Sequence, residues 1–329
     1  TGQKPSTTNG IDATKLATGL ASDDFDEIVP VAFTSAPATT PSIRLAFTKA
    51  SGAIADVYVC DPLSDVAAER VVWRQASGAT PTQFIQVPRR TVDSRPRSLA
   101  AMLGDRGPRL LAAAYDFTGS GTVDVLRRRI YSASLTDRAE ITAPLVRPGA
   151  QQGLTFGASE TVLMAVSPSR RGVYVSAGNA LWFTKGVQAG SVCIKDLSTA
   201  ASELTEVAGR VYVTAGPSAF VAGLASGSNG LPLADSLLGI KGTPDPRNAS
   251  EWTAIGNKIV FVADSPDSDR ELFVIDDPSD PVQGIQARMI DLNQVIDLGR
   301  VTKSSRPSGL FVAGDRLYFT ADDGLVKAA

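Results

Sequence analysis

Two stretches near the C-terminus are written to one plan: SEWTAIGNKIVFVAD, Ser250 to Asp264, and SGLFVAGDRLYFTAD, Ser308 to Asp322. Each opens on serine, runs through a short alternating apolar stretch to Gly256 or Gly314, and returns through an apolar run ending in Ala-Asp. Glycine followed by Asn or Asp between two β-rich runs is a hairpin signal, because a tight turn needs a residue at ease with positive φ.

The same grammar recurs upstream in SELTEVAGRVYVTAG from Ser202, SETVLMAVSPSRRGVYVSAG from Ser159 and SLAAMLGDRGPRLLAAAYD from Ser98. Gly209 and Gly104 are the turn glycines in two of these; in the Ser159 copy the longer loop Ser167 to Gly172 replaces the tight turn. A further strand follows several hairpins. Asp56–Pro62 and Glu271–Pro278 are two versions of it, each stopped by Asp-Pro, and Ser191–Asp196 is a weaker third. The repeat serines stand between 43 and 61 residues apart. About fifty residues for four strands and their turns is the period of a β-propeller blade. The expected fold is therefore all-β, a single β-propeller of six blades, with seven as the alternative and a two-sheet solenoid or sandwich behind it. No segment sustains a helical apolar period with caps.

The ends suggest how such a ring closes. The last copy has its inner hairpin without outer partners, and Glu27–Phe33 reads as a strand with no hairpin partner before it. An open edge strand invites aggregation, so N-terminal strands are expected to complete the last blade. The expected division is a polar arm or tether over residues 1–22 and the propeller over 23–329.

The segment Ser305–Gly324 resembles the ELWxxDGT-type, hyalin-like propeller repeat of bacterial secreted and surface proteins, and Arg270–Asp276 falls where that family carries Glu-Leu-Trp and Asp-Gly-Thr. The resemblance is good over about 245–324, and the Trp and the Gly-Thr are not present. It implies an extracytoplasmic β-propeller with no common enzymatic activity.

Composition narrows the chemistry. The 329 residues include no histidine, which excludes a Ser-His-Asp triad, His-ligated metal and imidazole acid–base catalysis. Two cysteines make neither a Cys₄ site nor a disulfide framework. Thirty-two basic against 34 acidic residues give a net charge of −2, no general attraction to nucleic acid or anionic lipid. No apolar run approaches the ~20 residues of a membrane-spanning helix.

Four local features carry candidate chemistry. Asp116, Thr118, Ser120 and Asp124 place oxygen-bearing side chains at positions 1, 3, 5 and 9 of a Gly-rich loop, with Gly121 at position 6. That is the spacing a hard cation needs. The loop resembles the calcium loop of FG-GAP propeller repeats, so Ca²⁺ is the one candidate cofactor; a plain Gly-rich β-turn is the alternative. Arg95, Arg247 and Arg306 recur just before repeat serines, where a propeller would bring them to one face as guanidinium forks for carboxylate, sulfate or phosphate groups. Asp264, Asp267 and Asp269 read as a solvated hairpin loop, and Arg127–Arg129 as a basic run alternating between faces. Cys60 and Cys193 read as unpaired thiols, and Trp73, Trp182 and Trp252 as packing between blades.

The functional expectation is a non-enzymatic, extracytoplasmic binding or scaffold propeller, periplasmic, cell-surface or secreted, that holds a protein or glycan on one face. The chain's start at Thr1, the polar arm and the family resemblance lead to that location. Two other readings stand beside it. One is a structural subunit of a surface assembly docked through residues 1–22; the other is a hydrolase with paired carboxylates in the channel.

Overall fold

The computed structural model describes the backbone of residues 25–33, 42–51, 54–60, 69–70, 97–105, 107–117, 123–134, 141–142, 144–147, 154–207, 209–223, 226–266, 269–280, 285–290, 292 and 304–322. Side chains are described from Ser98 onward, leaving aside 116–117, 123–126 and 141–142. Among the described residues the strands fall into six successive sheets, the number expected from the repeat spacing.

Sheet one is β1 (Phe25–Phe33), β2 (Ser42–Ser51), β3 (Ile54–Cys60) and β4 (Glu69–Arg70), paired in chain order. Sheet two is β5 (Arg97–Gly104), β6 (Gly107–Phe117), β7 (Val123–Ser134) and β8 (Ile141–Thr142), with β9 (Thr155–Gly157) also on β7. Sheet three is β10 (Val162–Ser167), β11 (Gly172–Ala177), β12 (Ala180–Thr184) and β13 (Ser191–Asp196). Sheet four is β14 (Ala201–Val207), β15 (Arg210–Ala215), β16 (Ser218–Ala222) and β17 (Leu238–Gly239). Sheet five runs β19 (Arg247–Ile255), β20 (Lys258–Asp264), β21 (Arg270–Ile275) and β22 (Gln286–Ile290), and β18 (Lys241–Thr243) joins β22 in parallel. The hairpin β23 (Ser308–Ala313) and β24 (Arg316–Thr320) is the sixth.

Among the described residues the only helical turns are two three-residue 3-10 segments, Pro168–Arg170 and Gln188–Gly190. The chain is all-β and built from four-stranded antiparallel meanders, the make-up of propeller blades. It divides into two compact units, residues 1–178 with 182–192, and 179–181 with 193–329.

The strand Phe25–Phe33, which has no hairpin partner before it in the sequence, finds one after it. It pairs antiparallel with its own successor β2 and heads sheet one. The hairpin β23–β24 has two strands among the described residues. Residues 1–22, the expected arm, lie outside the described residues.

Four of the five repeat serines mark β-bulges; Ser159 lies before β10, which pairs with β11 without a register shift. Register shifts fall across Ser98, Ser202 and Ser250 and directly after Ser308, in the first strands of sheets two, four, five and six. A bulge leaves a residue unpaired in the ladder, and a serine hydroxyl can bond nearby backbone in its place. Ser98 Oγ donates to the Val162 carbonyl (2.9 Å) and Ser202 Oγ to that of Thr214 (3.4 Å). The turns are as read in three hairpins, with Gly209, Gly256 and Gly314 at φ of 81°, 56° and 63°. In the Ser98 copy the left-handed residue is Gly107 (φ 103°), so Gly104 was the wrong glycine.

In the second unit, sheet five is buried on both faces. Ile259, Phe261, Phe273 and Ile275 join Tyr212 and Trp252 on one side. Val260, Val262, Leu272 and Val274 face the other, where Leu310, Leu317 and Phe319 of the hairpin lie on them. Tyr212, Trp252, Phe261 and Phe273 stack in file with ring centroids 4.7, 4.1 and 5.6 Å apart. Each fully buried side chain of this size contributes about 1.5–3 kcal/mol. Burial of its hydroxyl in this file pushes the Tyr212 phenol up to about 12.

Candidate functional site

The end of sheet five where β19 begins gathers polar side chains from several segments. Asp264 stands opposite Arg247 on one side and opposite Arg270 on the other. Directly opposed residues share a face, so the three form a row across β19, β20 and β21. Adjacent strands lie about 4.8 Å apart, which sets Arg247 and Arg270 about 10 Å apart along the row. The chain before β23 adds a fourth member, since the Arg306 amide donates to the Arg270 carbonyl (3.1 Å).

Arg270 is the hub of this end. Its guanidinium donates to Asp264 Oδ1 (3.2 Å), to the Asn248 carbonyl (3.4 Å) and to Ser250 Oγ. Asn248 Nδ2 holds the other Asp264 oxygen at 2.7 Å. Ser304 Oγ accepts from the Arg270 amide (3.0 Å) and donates to its carbonyl (2.9 Å). The Arg270–Asp264 pair is about one-third exposed, at 32% and 37%, and is satisfied internally. Arg247 and Arg306 flank it, both exposed, and among the described residues neither side chain makes a hydrogen bond or ion pair. Two exposed arginines thus flank a neutralised pair at this end of the sheet, and guanidinium groups suit carboxylate, sulfate or phosphate.

Three glutamates near this end, one buried and two half-buried, serve the backbone. Glu271 is fully buried, and its carboxylate accepts from the Ser305 amide (2.8 Å) and the Ser305 hydroxyl. Glu203 accepts from the Glu251 amide (3.1 Å) and from that of Trp252. Glu251 in turn accepts from the Leu310 amide (2.9 Å). Burial raises the Glu203 carboxyl above its ordinary value, and these backbone bonds pull the other way. Carboxylates committed to amide donors in this way are poor acid–base catalysts, and they tie sheet four to sheet five and sheet five to the hairpin.

Of the expected anion face, Arg247 and Arg306 come to this one end, and Arg95 lies outside the described residues. Of the cation loop, Asp116 and Asp124 stand opposite each other in register on β6 and β7. Residues 118–122, with Thr118 and Ser120, lie outside the described residues. Among the described residues no group of three or more Cys, Asp or Glu could hold a metal ion.

The acidic loop is a hairpin connection closed by the Ser265 amide on the Asp269 carbonyl (2.6 Å). In the basic run, Arg127 is exposed and donates to Thr155 Oγ1 (3.3 Å), whereas Arg128 is buried with its guanidinium 5.0 Å from the Tyr115 ring centre. Cys193 is half-buried; Cys60 lies on β3, its side chain outside the described residues. Trp182 and Trp252 are buried in packing, and Trp73 is outside the described residues.

Sequence reasoning missed Arg270 and the three glutamates. The signal was present as Ser-Glu at 202–203 and 250–251 and as Arg-Glu at 270–271, but each acts on a residue that only the sheet register brings near.

The repeated four-stranded antiparallel sheets are those of a β-propeller. No protein-family model matches the chain, and no curated protein matches it. Solved structures similar to it are distant. Puromycin hydrolase is 15% identical over 92% of this chain, with a TM-score of 0.35, and the chain spans 50% of its length. A nidogen/laminin complex is 14% identical over 89% of this chain and 84% of that one, at a TM-score of 0.31. The CNH domain of AfRom2 is 5% identical over 77% of this chain and 96% of that one, at 0.25. The fold assignment accordingly rests on the sheets themselves.

Proposed function

We infer that this chain is a non-enzymatic, extracytoplasmic binding propeller that holds an anionic protein or glycan at the end of sheet five. The observation that carries this reading is the pair Arg247 and Arg306, exposed and uncommitted on either side of the closed Arg270–Asp264 pair. Arg270 sets the platform: with its own charge neutralised, it fixes the Asn248 and Ser304 segments that carry the two free arginines. The absence of histidine and the use of Glu271, Glu203 and Glu251 as backbone acceptors support binding over hydrolysis.

The test uses the full chain on immobilised heparin, as a sulfated glycan, and on immobilised polyglutamate, as an acidic protein. Retention on at least one, falling with salt, is expected. Combining Arg247→Ala with Arg306→Ala should lower the eluting salt concentration clearly, because each exposed cation contributes a screened, additive attraction. Equal elution of the parent and the double variant on both supports would overturn this reading.

A further inference from the structure

Sheets four and five turn between their first two long strands in the same way, but only sheet five pairs the cation at that turn. The first strands end at Val207 and Ile255, which stand opposite Arg210 and Lys258. The next pairs outward are Val211↔Ala222 and Ile259↔Ile275, so Gly223 holds in sheet four the place that Asp276 holds in sheet five. Asp276 takes Lys258, and it takes Arg288 as well, with Nε at 2.7 Å. Gly223 brings no carboxylate to Arg210 and no side chain to fill that place. Among the described residues Arg210 makes no hydrogen bond or ion pair. The flanking segments outside them, residues 208, 224–225 and 281–284, contain no acidic residue.

Two more donors stand with Arg210. Side chains alternate along a strand, so Arg210 and Tyr212 project from one face of β15. Tyr212 packs into sheet five from that face, and Trp252 stacks on it with ring centroids 4.7 Å apart. Both side chains are over nine-tenths buried. The Tyr212 hydroxyl, Trp252 Nε1 and Arg210 Nη1 are all buried without a hydrogen-bond partner. Buried polar groups in folded proteins are nearly always hydrogen-bonded, and each of these three can donate. Burial raises the Tyr212 phenol and the Arg210 charge pulls it the other way, so the guanidinium lies within electrostatic reach of the hydroxyl. The acids around it are committed elsewhere. Asp277, held below its ordinary value by Ser279 and more weakly by the Arg210 charge, accepts from the Ser279 amide (2.9 Å), the Ser279 hydroxyl (2.5 Å) and the Asp280 amide (3.3 Å). Glu206, opposite Val211 and so on the other face, accepts from the Gly209 amide (2.8 Å).

We propose that Arg210, Tyr212 and Trp252 form a binding site for a small monocarboxylate, which stands where sheet five has the side chain of Asp276. Three donors call for an acceptor, and a guanidinium suits a carboxylate in particular. Arg210 supplies one positive charge, and the carboxylate of Asp277 opposes a second negative one. Arg210 is half-buried and gives the ligand its way in from solvent, whereas Tyr212 and Trp252 lie inside. The group that reaches all three is therefore small. This site lies at the Lys258 end of the sheets, opposite the end that carries Arg247 and Arg306, and does not depend on it.

The experiment is calorimetric titration of the full chain with sodium acetate, which replaces chloride at constant ionic strength. One saturable acetate site is expected. Arg210→Gln should weaken it about tenfold or more, the loss of a charge-assisted hydrogen bond. Tyr212→Phe keeps the ring and its stacking, removes only the hydroxyl, and should weaken it by a smaller factor. Combining Arg247→Ala with Arg306→Ala should leave acetate affinity unchanged, which separates this site from the anion-binding end of sheet five. Three outcomes would overturn the proposal. The first is no saturable acetate site, which would mean that water alone meets these donors. The second is unchanged affinity in Arg210→Gln and Tyr212→Phe, and the third is loss of the site in the Arg247 and Arg306 double variant.

Discussion

Sheet five and the hairpin β23–β24 share a sequence plan and differ in how much of it is buried. In sheet five, β20 has a strand on each side and apolar residues against both faces, so Phe261 and Val262 are fully buried. In the hairpin, β24 has one strand beside it and one covered face among the described residues, with Phe319 half-buried and Tyr318 exposed. Apolar alternation specifies a strand with an inside and an outside. Whether the outside is also covered depends on the neighbour, and the strand's own residues do not encode that.

The largest effect that tests this comparison is at the aligned phenylalanines. Phe261→Ala empties a site in the aromatic file and should cost about 3–5 kcal/mol, read from chemical denaturation. Phe319→Ala removes the same atoms from a half-covered site and should cost well under half as much. Equal losses would mean that the hairpin is as enclosed as sheet five.

A smaller effect separates the glutamates that join sheets from an exposed ion pair, and it has a sign. The Glu203 carboxyl is raised by burial, so the folded state holds its proton more tightly than the unfolded chain does. Its contribution to stability therefore improves as pH falls through that raised value, and the ionised form is the costly one at neutral pH. Asp276 is the reverse. Hydrogen bonds from Arg288 and Lys258 hold it at about 2, so its contribution is complete above the ordinary aspartate value and is lost as pH falls through about 2. Glu203→Gln should be better tolerated at pH 7 than at pH 4, and Asp276→Asn worse at pH 7 than at pH 2. For Asp276, 41% exposed and screened by solvent, the effect should be only about 0.5 kcal/mol. Thermal unfolding at these pH values reads both, and a Glu203→Gln variant that fares worse at pH 7 would contradict the assigned cause.

The smallest expected effect is at Tyr318. Replacement by serine should leave stability within about 0.5 kcal/mol of the parent, where Val260→Ser at the aligned position should be clearly destabilising. A large loss at Tyr318 would show that its face is covered.

The hairpins were legible because their signals are local: a glycine at a turn, an apolar run, an Asp-Pro stop. Even the misassigned Gly104 lies only three residues from Gly107, which takes the left-handed conformation. The repeat serine was visible as a pattern, but its role at a bulge was not, because a bulge is a property of two strands in register. The site was legible in part for the same reason. Arg247 and Arg306 announced themselves by their place before a serine. Arg270 looked like the start of an ordinary strand, and its partners come from Asp264 nearby and from Asn248, Ser250 and Ser304 across 20 to 34 residues of chain. Glu203 reaches 48 residues to the amide of Glu251, and Glu251 reaches 59 to that of Leu310. No sequence period marks which carboxylate will meet which amide.

The glutamate ties have a consequence for cooperativity. Glu203 in sheet four holds the start of β19, and Glu251 beside it holds β23, each reaching one sheet along and no further. Coupling of that kind makes a quasi-one-dimensional array, in which stability is a sum of unit terms and nearest-neighbour terms. Cutting one tie should release the neighbour on one side and leave the next boundary intact. This part of the molecule is thus set to release the hairpin without loosening the boundary between sheets four and five.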